Sequence, residues 1–371
     1  MNRSRKHRKG SILVFVLGLL VLLSALSIRL MKETTQELRH ASQFYHKDDL
    51  RIYAYSCLDL VVGVLHEWYM TWGRLEPIWG FWDPLRYADK MSPAMFNTSG
   101  IGNSETFPFD WKVDLLDETG KIPLFKVEDG KLSKLFAAMM IEDKWGNYDE
   151  EEGQPLLDTF KDWQDSDKET REEGAEEDYY ENLDPPYYTP DRKIYSFNEF
   201  QMIRGFGFSH DDPARNGIFY DKEGFETDQF LDFKNSFSFY NKEKINPYSI
   251  SEFVLLFLAD YDEFLVAELR DLRGSLETIE NGEFYRKMQE LAGKAGFSLT
   301  SAIEVLRVEI TITKGRSVFK LHALLEINTN NSNRPTPKNA QENVLPRSKR
   351  NLEMKYPFRI LALKENENLI D

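Results

Sequence analysis

An uncharged apolar run of 18 residues, 11–28, follows directly on a basic leader that holds Arg3, Arg5, Lys6, Arg8 and Lys9 and ends at Gly10. As a helix that run is roughly 27 Å long, close to the hydrocarbon thickness of a bilayer. Hydrocarbon offers no hydrogen-bond partner to a bare backbone, so a helix is the conformation open to it. The positive leader is expected to stay on the cytoplasmic side, with everything after Arg29 outside. A secretory signal peptide is one alternative, with Ala25, Leu26 and Ser27 as a small-x-small cleavage site, but the run exceeds the usual apolar core of such peptides. A plain signal anchor is another.

A glycine set between a basic leader and an apolar helix resembles the class III signal sequence of type IV pilins and pseudopilins, in which cleavage falls between Gly10 and Ser11. The following residues favour that reading. No proline occurs from position 11 to 76. Apolar residues recur at Tyr55, Leu58, Val62, Leu65 and Tyr69, the 3–4 spacing of an amphipathic helix. The span is therefore expected to continue unbroken into a stalk helix over 29–75, about 60 residues and roughly 90 Å in all. Gly63 and the polar middle are candidate bends.

The 371 residues carry 47 basic and 62 acidic side chains, a net charge of −15, and −20 once the five leader charges are set aside. Such a surface repels nucleic acid. The single Cys57 excludes an internal disulfide and reads as a buried thiol in the stalk. A first segment of strand pattern covers 107–127. Residues 303–327 read as an antiparallel hairpin turning at Lys314, Gly315 and Arg316, and 358–363 as a last strand. Between them the pattern is helical. The expected fold is α+β: an antiparallel sheet with a large inserted α-helical domain. Its parts are the leader 1–10, the transmembrane segment 11–28, the stalk 29–75, the first α+β part 76–130, the insertion 131–293, and the β return 294–371 with a disordered loop at 328–350.

The insertion contains Asp162, Trp163, Asp165 and Asp167, then Gly174, Ala175, Glu176, Tyr179 and Tyr180, then Pro185, Pro186 and Tyr187, then Ser196, Glu199 and Gly205. In order these resemble the D-W-x-D-x-D, G-A-E-x-x-Y-Y, P-P-Y and S-x-x-E-L-x-x-x-x-G blocks of the K-type minor pseudopilin of the type II secretion system. Asp117, Glu118, Gly120, Lys121 and Ile122 resemble that family's D-E-x-G-K-I turn. Ile245 and Asn246 resemble its I-N-x-N-T-A segment, although Pro247 and Tyr248 depart from it. The position that is Glu in most pseudopilins is Phe15 here, and the K type is the branch that usually lacks that Glu. The resemblance implies a pilin-like fold and a tip subunit that initiates or caps a fibre with the I- and J-type minor pseudopilins. It also implies processing by prepilin peptidase, an inner-membrane location, and a structural role in protein export in place of catalysis. A type IV pilus minor pilin is a related alternative.

Asp162, Asp165, Asp167, Glu173, Glu176 and Asp178 crowd one stretch. A solvated acidic loop is the ordinary fate of such a run. Hard oxygen ligands at alternating positions also suit Ca2+, with Asp162, Asp165, Asp167 and Glu176 as the candidates and Gly174 permitting a turn. The family's inserted domain carries calcium, so the resemblance implies the second reading. The six histidines show no zinc-ligand spacing, and neither G-x-S-x-G nor a phosphate-cradling glycine loop occurs. A signal-anchored envelope enzyme using a carboxylate pair is the alternative from another class. Residues 199–207 look like a helix-hairpin-helix DNA module, but they lack the neighbouring cations that phosphate contact requires.

Overall fold

The computed structural model describes residues 9–72, 109–141, 149–207, 217–221, 223–274, 282–315, 317–327 and 358–366. The segment 328–350, expected to be a disordered loop, lies outside these residues, as does the leader before Lys9.

Helix α1 runs unbroken over Lys9–Trp72, 64 residues, through Gly63. Its first third, Val14–Gln36, is long and apolar enough to cross a membrane, and it is fully exposed. Further along, Leu50, Ala54, Cys57, Leu58, Val61, Val62 and Leu65 form one buried stripe at helical spacing. That stripe packs on a four-stranded antiparallel sheet of order β1-β6-β7-β8, in which β1 is Asp110–Asp117, β6 Val305–Lys314, β7 Ser317–Glu326 and β8 Arg359–Glu365. Alternation along β6 decides the faces. Leu306, Val308, Ile310 and Ile312 join the α1 core, and Phe319, Leu321, Ala323 and Leu325 do the same from β7. Tyr55 sits at the rim of the stripe, where its hydroxyl donates to Glu365 at 2.7 Å beside Arg51. Burial pushes the Cys57 thiol up to about 12, so it stays protonated and serves as packing.

The chain leaves the sheet after β1 and re-enters it at β6, its immediate neighbour, with Asp117 opposite Leu306. Everything between is a second body with its own core, reaching from Ile122 and Leu124 to Met288. It carries helices α2 (Asp129–Met139), α3 (Gln154–Asp162), α4 (Glu177–Tyr180), α5 (Asp228–Ser236), α6 (Glu252–Leu258), α7 (Glu263–Gly274) and α8 (Glu283–Lys294). Two-residue parallel pairs, β2 (Ile122–Pro123) with β3 (Phe237–Ser238) and β4 (Lys244–Ile245) with β5 (Ser298–Leu299), tie its ends together. Phenylalanine dominates the packing. Phe136, Phe160, Phe200, Phe206, Phe219, Phe230, Phe233 and Phe237 are all fully buried, with ring centroids as close as 4.5 Å.

The turn over Glu118–Gly120 joins the two bodies and is buried throughout. The Thr119 hydroxyl accepts from the amides of Glu304 (2.8 Å) and Val305 (3.1 Å), binding the exit of the insertion to its entry. Gly120 is required here, because a Cβ would stand 2.4 Å from the Ser249 carbonyl oxygen. Glu118 lies 3.1 Å from Lys121 and 3.0 Å from Arg307 on the sheet face away from α1.

The packing of α1 makes a testable distinction. Leu58→Asp places an unpaired carboxylate in the sheet core and is expected to cost about 3 kcal/mol or more. Ile52→Asp, on the exposed side of the same helix, should change stability by less than about 0.5 kcal/mol. Chemical denaturation followed by tryptophan fluorescence compares the two. Equal losses would place the packed face elsewhere.

Candidate metal centre

Helix α3 begins at Gln154 with Pro155 in its first turn and ends on Asp162. A carboxylate at a helix C-terminus meets the negative end of the helix dipole and the last unbonded carbonyls, so it calls for a cation. Asp162 is fully buried, and Asp165 and Glu176 bring one carboxylate oxygen each to within 4.8 Å of it and of one another. The loop returns over the helix end. The Arg171 amide donates to Asp162 Oδ2 at 3.2 Å, and its guanidinium bridges Asp162 and Asp165, 2.6 Å from Asp165 Oδ2. One helical turn earlier, Asp158 accepts from Gln154 (2.8 Å) and from the Glu173 amide (3.3 Å).

Gly174 owes its place to this approach. A Cβ there would stand 1.8 Å from Asp162 Oδ2. The sequence suggests a turn glycine, but the reason found in the structure is a close passage over the carboxylate. Arg204 fixes this loop by donating to the Gly174 carbonyl at 2.8 Å.

The electrostatic balance is incomplete. Three carboxylates face one guanidinium, and Asp165 Oδ1 and Glu176 Oε1 are buried with no hydrogen-bond partner among the described residues. Burial, reinforced by the charges of Asp162 and Asp165, pushes Glu176 up to about 7. Two orphaned oxygens and a net deficit of two positive charges are a fit for one hard divalent cation, with Asp162, Asp165 and Glu176 as side-chain ligands. Asp167 stands outside the group: it is exposed, and its Oδ1 accepts from the Glu169 amide at 3.0 Å, closing a local turn. Glu173 and Asp178 are likewise exposed. Gly10 and Ser11 lie in the first turns of α1, and Phe15 is 71% exposed on its apolar portion. Arg171 and Asp158 escape the sequence reading. Asp158 was legible as a carboxylate four residues before Asp162 on one helix face, but nothing in the sequence marks Arg171 as their bridge.

A helix with a free apolar third, packed by its later half on an antiparallel sheet that carries a large helical insertion, defines the α+β pilin-like class. Residues 125–209, which contain the carboxylate group, match the family described as type II secretion system (T2SS), protein K. The fold is similar to a chain in the crystal structure of the GspK-GspI-GspJ complex from enterotoxigenic Escherichia coli, at 11% identity and a TM-score of 0.50 over 89% of this chain and all of that one. Among curated proteins none matches significantly. The resemblance to the K-type minor pseudopilins of type II secretion is thus shown, and with it the α+β fold. That family is one of structural components.

The raised Glu176 has a defined pH signature. Its folded value of about 7 lies above the ordinary 4.5, so its contribution to stability is complete below the unfolded value and is lost as pH rises through 7. In metal-free buffer the melting temperature should therefore fall by a few degrees between pH 5 and pH 8. Glu176→Gln should flatten that slope. An unchanged slope in the variant would assign the dependence to other groups.

Proposed function

We propose that this chain is the tip subunit of a type II secretion pseudopilus, held in the inner membrane by α1 with its N-terminus cytoplasmic and its two folded bodies periplasmic. The observation that carries the reading is one continuous helix serving both a membrane-length apolar segment and the core of a sheet whose insertion is K-type. Fibre-forming subunits pack such helices side by side, and a buried glutamate near the start of the apolar run needs a neighbour's N-terminal ammonium. Phe15 brings no charge, so this subunit requires no neighbour above it to neutralise one. The insertion's bulk would also obstruct further addition. Prepilin peptidase would cut between Gly10 and Ser11.

The solved relative is a complex with GspI and GspJ, and corresponding I- and J-type minor pseudopilins are the partners proposed here. Exposed residues of α1 beyond the membrane segment, Ile52 and Leu60 among them, are available for such helix packing. A photo-crosslinking residue at Ile52 in secreting cells should give adducts with I- or J-type subunits. The absence of any pseudopilin adduct would contradict the assembly role.

In this reading the carboxylate group of the insertion binds Ca2+ through Asp162, Asp165 and Glu176. The buried unpartnered oxygens support it, because they already incur the desolvation cost that ligation offsets. Calcium at a hundredfold excess over its Kd should stabilise the protein by about 2.7 kcal/mol. That should raise the melting temperature by a few degrees, and magnesium should do less because it dehydrates reluctantly. The structure adds a discriminating pair: Asp165→Ala should abolish the calcium response and Asp167→Ala should retain it. Identical melts in EGTA and calcium would leave the run a salt-bridged acidic loop.

A further inference from the structure

The carboxylate group divides its oxygens between two kinds of partner. Nη1 of Arg171 bridges Asp162 Oδ1 and Asp165 Oδ2, at 2.6 Å from the latter. The oxygens it leaves are different atoms. Asp165 Oδ1 and Glu176 Oε1 are buried with no hydrogen-bond partner among the described residues, and Asp162 Oδ2 accepts the Arg171 amide at 3.2 Å. Glu176 is only 4% exposed, so bulk water does not supply the missing partner. The oxygens free for a cation are thus not the ones that the guanidinium holds.

Charge leads to the same division. Asp162, Asp165 and Glu176 together carry −3 when ionised, and Arg171 reduces that to −2. A divalent cation balances the group only if the guanidinium stays. Without Arg171, the loaded group would keep a surplus negative charge around the fully buried Asp162, which is costly. Asp158, one turn back on α3, is not among the converging ligands, and its oxygens accept from the Gln154 side chain and the Glu173 amide. Arg171 can keep its place from outside: its side chain is 38% exposed, whereas that of Asp162 is wholly buried.

We infer that Arg171 remains on Asp162 Oδ1 and Asp165 Oδ2 when the cation binds, and that it sets the preference of the site for a divalent over a trivalent ion. The inference rests on the calcium reading. Arg171 is a positioning residue: it orients two ligands and fixes the charge that the ion must balance, without touching the ion. The consequence for selectivity is specific. A fixed positive charge beside the site repels a trivalent ion half again as strongly as a divalent one, so its removal favours the trivalent ion. An arginine that only braces the loop would affect both ions alike. An arginine that the ion displaces would compete with both alike.

The test titrates the full chain in dodecyl maltoside with calcium chloride and, separately, terbium chloride by calorimetry, with Asp165→Ala as the blank for the site. Arg171→Gln should raise the terbium-to-calcium affinity ratio by roughly tenfold, and Arg171→Lys, which keeps the charge, should hold it within about twofold of wild type. Phenylglyoxal labelling of Arg171 in the wild type, read by mass spectrometry, needs no variant to fold. It should be no greater in calcium than in EGTA. A ratio unchanged in Arg171→Gln overturns the inference: both ions tighter marks a displaced competitor, both weaker a loop brace. A ratio raised equally in Arg171→Lys, or labelling that increases in calcium, overturns it as well. Should Arg171→Gln fail to fold, Arg171→Lys and the labelling decide. A wild type that takes up neither ion overturns the calcium reading and this inference with it, whereas the other failures leave the calcium site standing.

Discussion

The buried turn between β1 and the insertion is the constraint on which the rest of the molecule depends. Two strands that are neighbours in the sheet are separated in sequence by an entire folded body, so entry and exit must be clasped together. Thr119 does this with one hydroxyl that accepts two amides from the returning chain. Asn241 closes the same junction by donating to the carbonyls of Thr119 and Lys244. Asp117 accepts from Asn246 and from Ser249, both at 2.7 Å. Burial still pushes Asp117 up to about 6 against those hydrogen bonds. Beneath the turn, Glu118, Lys121 and Arg307 form a buried charged set, with the half-buried Glu309 at its edge, in which each buried member needs another, because a lone charge there would be costly. Directional polar contacts of this kind fix the insertion on the sheet in one orientation, which apolar packing alone does less well.

The second organising feature is that one helix carries two kinds of surface. Residues 14–28 of α1 are exposed and apolar nearly throughout, and 50–65 bury one stripe against the sheet. With no proline between, the backbone hydrogen bonds pass from one environment to the other without a break. The head and the apolar segment therefore share one continuous helix. A flexible tether would not link the two parts in this way, and the tip role proposed above depends on position.

Much of this was legible because it rests on periodicity. The apolar run, the stripe containing Leu58, Val62 and Leu65, and the alternation along 305–326 are local patterns that the packing then uses. The last strand, paired with β7 from Leu321 to Glu326, was legible in the same way. What escaped is long-range. Arg171 bridging Asp162 and Asp165, Arg307 reaching Glu118, and Asn241 capping the junction join residues whose partners no spacing reveals. The acidic run shows the same limit. Composition singled out six carboxylates, but the path of the loop over Gly174 decides that Asp162, Asp165 and Glu176 converge and that Asp167 turns to solvent.

Function follows from the combination. The helix offers a membrane-length apolar segment, the sheet a head, and the clasped insertion a body whose unbalanced carboxylates suit a divalent cation. The claim beneath all of these is that α1 from Ser11 onward, apolar segment included, is retained in the mature protein and only the basic leader is removed. N-terminal sequencing of the chain purified from membranes tests it directly. The account expects Ser11 as the first residue, with the apolar segment retained. A start at Ile28 would mean that the apolar segment had been removed as a signal peptide, and would contradict the account.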